Sequence, residues 1–371
     1  MTTEAGSPPR AHPALQTPIC SLLGVRWPIV QTGMGWVAGP RLASATSEAG
    51  GLGILASATM TYEQLVAAVR EMKERTERPF GVNVRSDQAD VDRVVDLLVA
   101  ERVAVASFAQ APNERLIKRL KDGGIVCMPT VAARRHAEKV AAWGVDAVIA
   151  QGHEGGGHTG VVPTTLLLPQ VADAVGIPVL GAGGFMDGRG LVAALAWGGA
   201  GVAMGTRFLL TRESTVPDHV KARYLEASVT DTVVTRAVDG MPQRVIRTAL
   251  IDRLERSSGP VALARSVASA LRLRRLTDTG MKDLVREGLA MRRSGDLSLA
   301  QMAMAANAPM LTRASMVEGH LETGILPTGQ VTGLIDSLPS VAELIASIVT
   351  EATETLDRLT VVSAPPDHRP L

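Results

Sequence analysis

The chain has 371 residues, 46% hydrophobic and 20% charged, with a formal net charge of +1. That length supports one large domain, or two smaller ones, around a real core. The near-neutral charge gives no general affinity for nucleic acid or acidic lipid, an aromatic content of 3% leaves few platforms for stacking single-stranded bases, and no apolar run reaches the ~18 residues of a membrane span.

In chain order, residues 1–18 carry Pro8, Pro9, Pro13 and Pro18 without an apolar stretch, which predicts a flexible tail and not a signal peptide. Short apolar or β-branched runs then recur every ~20 to 30 residues. They begin at Pro28-Ile29-Val30, Gly53-Ile54-Leu55, Phe80-Gly81-Val82, Val103-Ala104-Val105, Ile125-Val126-Cys127, Ala147-Val148-Ile149, Pro178-Val179-Leu180 and Gly201-Val202-Ala203. Helical periodicity fills the gaps from Thr61 to Lys73, Val91 to Ala100, Asn113 to Lys121, Ala132 to Trp143 and Gly188 to Trp197. Thr61 with Gln64 has the spacing of a capping box, and Asp187 suits an N-cap. Eight alternating βα units predict a parallel (β/α)8 TIM barrel over residues 19–214. An open sheet of seven or nine strands is the alternative if one run is misread.

Polar groups and glycines gather just past these strands: Gln31-Thr32-Gly33-Met34-Gly35, Asn83, Ser107, Gln151-Gly152, Gly183-Gly184 and Gly205-Thr206. Barrel enzymes keep their chemistry at that end. Any single glycine is accounted for by a tight turn, but the set, with Asn83 and Gln151 both expected to point inward, predicts a ligand site. Ala182-Gly183-Gly184-Phe185-Met186-Asp187 and Val202-Ala203-Met204-Gly205-Thr206 are the turns after the seventh and eighth strands, where barrels bind phosphate on exposed backbone N–H groups. Gly33-Met34-Gly35-Trp36-Val37-Ala38-Gly39 has one residue too many for a dinucleotide fingerprint, and there is no P-loop. A mononucleotide such as FMN suits the pattern, its ring near Gly33, Met34, Asn83 and Gln151.

The loop after the sixth strand, Gln151-Gly152-His153-Glu154-Gly155-Gly156-Gly157-His158-Thr159-Gly160, carries the chemistry. Its consecutive glycines allow close approach to a flat ligand. A zinc-protease helix would need a histidine where Gly157 stands, so no metal is expected. His158 is the candidate acid/base, since imidazole titrates near neutral pH; His153 is expected at the rim.

After Phe208 the alternation stops. Residues 215–324 are expected to form a helical lobe without strands, and residues 253–293 hold ten basic side chains against four acidic ones. That lobe is a candidate for the phosphates of a ligand, a solvated helical face or an oligomer contact being the equal alternative. Residues 325–360 are a return segment, with an amphipathic helix from Val341 to Leu359 expected to pack on the barrel; residues 361–371 form a second tail. Two cysteines without metal or redox spacing, Cys20 and Cys127, predict a reduced, cytoplasmic setting.

Gln31-Thr32-Gly33-Met34-Gly35, Gly81-Val82-Asn83, Gln151 through Gly160, Ala182-Gly183-Gly184, Met204-Gly205-Thr206 and Gly329-Gln330 together resemble the nitronate monooxygenase (2-nitropropane dioxygenase-like) flavoproteins. The resemblance runs in order from Ile19 to Leu359. It implies FMN, with the phosphate held at Gly183, Gly184, Gly205 and Thr206. The ring and ribityl chain would be lined by Gly33, Met34, Asn83, Gln151, Gly152 and Gln330, and His158 would be catalytic. Gln31 through Gly39, Glu154 through Gly160, Thr165-Leu166-Leu167-Leu168-Pro169 and Val238-Asp239-Gly240-Met241-Pro242 are similar to an actinobacterial steroid-catabolic branch. That branch is thought to introduce a ring double bond into a hydroxy-methyl-oxo-indane carboxyl-CoA. Ser107-Phe108-Ala109-Gln110-Ala111-Pro112 lacks the histidine and glycine that nitronate oxidases often carry there.

The resemblance therefore implies an FMN-dependent oxidoreductase that introduces, or in reverse reduces, a C=C bond α,β to a CoA thioester. Nicotinamide, NAD(P), is a candidate electron partner, although no separate motif marks it. The rivals are oxygen-dependent oxidation of alkyl nitronates and a flavin-carrying sensor without turnover. Homo-oligomerisation is left open by the sequence; no nucleic-acid or membrane partner is expected.

Overall fold

All eight expected apolar runs become strands, because each is short, β-branched or small, and buried on both faces as a parallel sheet requires. The computed structural model describes residues 11–108, 112–256 and 299–362. Strands β1 (Ile29–Gln31), β2 (Leu52–Ala56), β3 (Phe80–Val84), β4 (Val105–Phe108), β5 (Val126–Val131) and β6 (Val148–Gln151) follow one another around the wall. A two-residue strand, β7 (Gly157–His158), lies outside it, and β8 (Val179–Ala182) and β9 (Gly201–Met204) complete it. Parallel pairing of β9 with β1 closes the barrel, with Gln31 in register with Met204.

The wall has an apolar filling on each side. Val30, Ile54, Val105, Met128, Ile149, Leu180 and Ala203 fill the interior, and Ile19, Cys20 and Leu23 of the helix Pro18–Leu23 belong to the same cluster. Outside, the helices bury their apolar stripes against the strands. Local chemistry sets their starts. Thr61 and Gln64 make both bonds of a capping box, and Asp187 accepts from Gly190 N at 2.8 Å to open the helix Gly188–Ala196. The helix Val341–Val362 packs on Gly188–Ala196, with Leu344, Ile345, Ile348 and Val349 buried and Gly188 N donating to Glu351 Oε2 at 2.7 Å.

Two expectations are corrected. Residues 11–18 are not a loose tail: Pro13–Leu15 is a turn of 3-10 helix, Leu15 is fully buried, and His12 N donates to Thr353 Oγ1 at 3.1 Å. Prolines that look like linker punctuation here fix φ at helix starts. Nor is the stretch from 215 to 324 free of strands. β10 (Thr232–Thr235) and β11 (Gln243–Ile246) form an antiparallel hairpin, and β11 pairs with β7 in the loop after β6. The β-branched run Thr232-Val233-Val234-Thr235 has strand propensity, but β11's other partner lies far away in sequence, beyond the reach of local periodicity. The basic stretch 253–293 lies outside the described residues from 257 onward.

Candidate active site

The two glycine corners stand side by side. Ala182 of β8 is in register with Ala203 of β9, so Gly184 and Gly205 each lie two residues beyond a matched pair. Gly183 and Gly184 have φ of +95° and +82°, a region that favours glycine. Among the described residues, the backbone N–H groups of Gly184, Gly205 and Thr206 meet no protein acceptor. Thr206 Oγ1 accepts from Gly329 N at 2.8 Å, and Gln330 N donates to Glu154 O at 3.0 Å. These bonds tie the return segment to both the β9 corner and the loop after β6.

The other expected residues cluster at the same end of the wall. A Cβ on Gly33 would lie 2.5 Å from Asn83 Cβ, so glycine lets the first loop close over Asn83. Asn83 Nδ2 donates to Ser107 Oγ at 3.0 Å, which fixes the amide's orientation. Met34 O accepts from Val37 N and Ala38 N at 3.0 and 2.8 Å, and its sulfur would lie 3.4 Å from a Cβ on Gly205. Gly152 N donates to Ala182 O at 2.9 Å, and any side chain there would strike Thr164. Gln151 Nε2 donates to His158 O at 2.7 Å, so this amide holds the loop that carries the histidine.

His158 lies on β7, opposite Gln243 of β11. Its Nε2 is 2.7 Å from Asp239 Oδ2; the histidine side chain is 56% exposed and the aspartate 10%. Burial alone would raise the Asp239 carboxyl. The hydrogen bond and charge of His158, the Met241 N–H and Gln243 outweigh it and hold the group below its ordinary value. Asp239 is the chief site residue that local reading of the sequence missed. Its motif, Val238-Asp239-Gly240-Met241-Pro242, was visible in the sequence, but its target is 81 residues away.

Glu154 and Arg244 carry the surrounding loop. Glu154 Oε2 accepts from Thr164 N at 2.9 Å and Thr164 Oγ1 at 2.8 Å. Arg244 donates from Nη2 to His153 O at 3.1 Å and from Nη1 to Thr232 Oγ1 at 2.9 Å. Burial pushes the Arg244 guanidinium below its ordinary value, partly offset by Glu154. His153 is structural, its Nδ1 lying 2.8 Å from Gly160 O. No group of three His, Cys, Asp or Glu side chains among the described residues is arranged to hold a metal. Cys20 and Cys127 are free and buried; burial, then the charge of Asp146, pushes the Cys127 thiol up to about 12, so it carries no reactive thiolate. Among the described residues, no helix is long and apolar enough to cross a membrane.

With a closed barrel, phosphate-type corners and an exposed imidazole at one end, the chain matches the family model described as nitronate monooxygenase over residues 16–351. It is a member of the nitronate monooxygenase family. Membership makes it an oxidoreductase of a flavin-using family. It is 57% identical over 341 residues to the "(3aS,4S,5R,7aS)-5-hydroxy-7a-methyl-1-oxo-octahydro-1H-indene-4-carboxyl-CoA dehydrogenase" of Mycobacterium tuberculosis, covering 91% of this chain and 96% of that one. The protein of the same name from Rhodococcus jostii is 55% identical, with coverage of 94% and 99%. Among solved structures, FabK from Thermotoga maritima superposes with a TM-score of 0.77 at 35% identity, covering 94% of this chain and 99% of that one.

Proposed function

We propose that this chain is an FMN-dependent dehydrogenase that introduces a C=C bond α,β to the carbonyl of a CoA thioester. The substrate would be a bicyclic hydroxy-methyl-oxo-indane intermediate of steroid-ring breakdown. The observation that carries the reading is the half-exposed His158, held by a buried carboxylate in the loop that packs on the β8 glycine corner. A Cβ on Gly183 would lie 2.9 Å from Gly155 N of that loop. The two dehydrogenases at 57% and 55% identity supply the substrate class.

The residues fit FMN. Three backbone N–H groups without acceptors among the described residues, at Gly184, Gly205 and Thr206, suit the phosphate, as turns of this kind do for anions. Gly33, Met34, Asn83, Gln151, Gly152 and Gln330 lie around the same barrel end and would line the remainder. The flavin, when bound, supplies the acceptor for the hydride that leaves the β carbon. His158 takes the proton from the α carbon, which the neighbouring thioester carbonyl makes acidic. Proton to imidazole and hydride to the cofactor leave the two carbons doubly bonded, so the step balances. Run backwards, the same groups reduce an enoyl thioester.

Anaerobic mixing of the yellow protein with candidate CoA thioesters tests this reading: the visible flavin absorbance should bleach within a turnover. Protein that cannot take up FMN would overturn it. So would flavin that no thioester bleaches while an alkyl nitronate drives oxygen uptake. Bleaching by NADH or NADPH alone would add nicotinamide as the electron partner.

A further inference from the structure

We propose that Asp239 is the positioning residue that fixes the tautomer of His158, committing Nε2 as a donor and leaving Nδ1 as the atom that takes the substrate proton. The inference rests on His158 being the base of the proposed reaction.

A neutral imidazole carries one N–H, and an ionised carboxylate accepts hydrogen bonds but donates none. With Asp239 Oδ2 2.7 Å from Nε2, the ring hydrogen belongs on Nε2. Nδ1 then holds the lone pair, on a ring whose side chain is 56% exposed. The carboxylate itself is held in place: its other oxygen, Oδ1, accepts from Met241 N at 3.0 Å, inside a turn that Gly240 completes at φ +86°. The histidine is held from its own side, since Thr159 N donates to Pro242 O at 3.1 Å and Gln151 pins the His158 carbonyl. Both partners therefore belong to one small sheet, with their backbones tied on either side of the contact.

Other charged groups near the loop are engaged elsewhere. Arg244, on the strand beside β7, gives its guanidinium to His153 O and Thr232; Glu154, in the same loop, gives its carboxylate to Thr164. Among the described residues, Asp239 is the charged group in contact with the ring. Once Nδ1 has taken the proton, the imidazolium lies against an anion that was already in place. This is the orienting role a buried carboxylate plays for a general base.

Asp239→Asn keeps the shape and removes the charge, and its amide can donate to Nε2 and so select the wrong tautomer. With a thioester that bleaches the native enzyme, kcat should fall by about 10- to 100-fold. KM, flavin occupancy and melting temperature should hold. Asp239→Glu should restore part of the rate. Wild-type kcat in Asp239→Asn, or a loss that merely tracks lost flavin, overturns the proposal.

A second measurement does not depend on turnover or on the variant folding. In native protein with 15N-labelled histidine, assigned by loss of the signal in His158→Ala, the ring should show hydrogen on Nε2 and a bare Nδ1. Hydrogen on Nδ1 overturns the proposal. If no thioester bleaches the flavin, the functional reading fails, and the ring signal still decides the pairing.

Discussion

The barrel wall and the three-stranded sheet at its mouth are built on opposite plans. In the wall, each strand pairs with neighbours on both sides, and every strand but β3, where Gly81 and Asn83 alternate with the outer Phe80, Val82 and Val84, has apolar side chains both inside and out. In the small sheet, β7 has two residues, its pairing spans more than 80 positions, and the polar side chains Thr235, Gln243 and Arg244 are buried beside the apolar Val245 and Ile246. The wall's packing is redundant, whereas β7 is held to the sheet through two residues and a few hydrogen bonds that each have one geometry. The proposed base sits on the second kind of unit, where one contact orients one ring and Gln151, at the end of β6, ties that unit to the first.

That contrast is sharpest at His158. His158→Ala should lower turnover by ~100- to 10,000-fold, the usual worth of a positioned acid/base. Bound flavin and thermal melting should be unchanged, because the side chain contributes to neither the wall nor the glycine corners. Full turnover by this variant would remove His158 from the mechanism.

The reverse experiment strikes the shell and spares the mouth. A Cβ on Gly188 would meet Ala352 N at 2.3 Å and Ile348 O at 2.5 Å, and neither backbone atom can rotate away. Gly188→Val should force the helix Val341–Val362 outward and lower stability by ~1–3 kcal/mol. It should melt earlier in a thermal scan yet bleach with thioester normally in the cold. An unchanged melting temperature would show that the two helices are not held as closely as this.

Between these extremes lies Gly184, where the wall meets the site. At φ +82° an alanine is strained by ~1–2 kcal/mol although its Cβ has room, the nearest atom being Glu154 Cβ at 3.8 Å. Gly184→Ala should weaken FMN retention by roughly tenfold, read by titrating stripped protein. Gly39→Ala, at φ −90° with no atom within 4 Å of its Cβ, is the matched control and should bind FMN normally.

The same contrast explains what could be read from the sequence. The eight strands, the capping box at Thr61 and the N-cap at Asp187 follow from neighbours a few residues apart, so periodicity and spacing reveal them. The glycine corners were legible because strand counting alone places them side by side. The helix Thr164–Ala172 was obscured by Pro169 in its interior and by a loop start whose cap is the distant Glu154. The β10–β11 hairpin was lost in an arginine-rich stretch. Asp239 stood inside a recognisable motif, yet nothing local says that its carboxylate reaches back across the chain to His158. Contacts that cross from one plan to the other are the ones the sequence does not spell out.

The smallest expected effect tests the shell at its rim. Ser340 and Glu343 open the helix Val341–Val362: Glu343 Oε2 accepts from Ser340 N at 2.8 Å and Ser340 Oγ accepts from Glu343 N at 3.2 Å. Glu343 also pairs with Arg212. That hydrogen bond first, then the Ser340 N–H, lower the Glu343 carboxyl from 4.5 to about 2. A folded-state value below the unfolded one means that the stabilisation is present above pH 4.5 and is lost as pH falls towards about 2. Both side chains are more than half exposed, so salt screens the pair and its worth is small. Glu343→Gln keeps an oxygen for the cap and removes only the charge. At neutral pH its melting temperature should drop less than that of Gly188→Val, and less again in high salt. Its acid-side melting curve should lose part of its slope within the same pH window. A salt-independent drop as large as that of Gly188→Val would mean that the cap, and not the packing against Gly188, anchors this helix to the barrel.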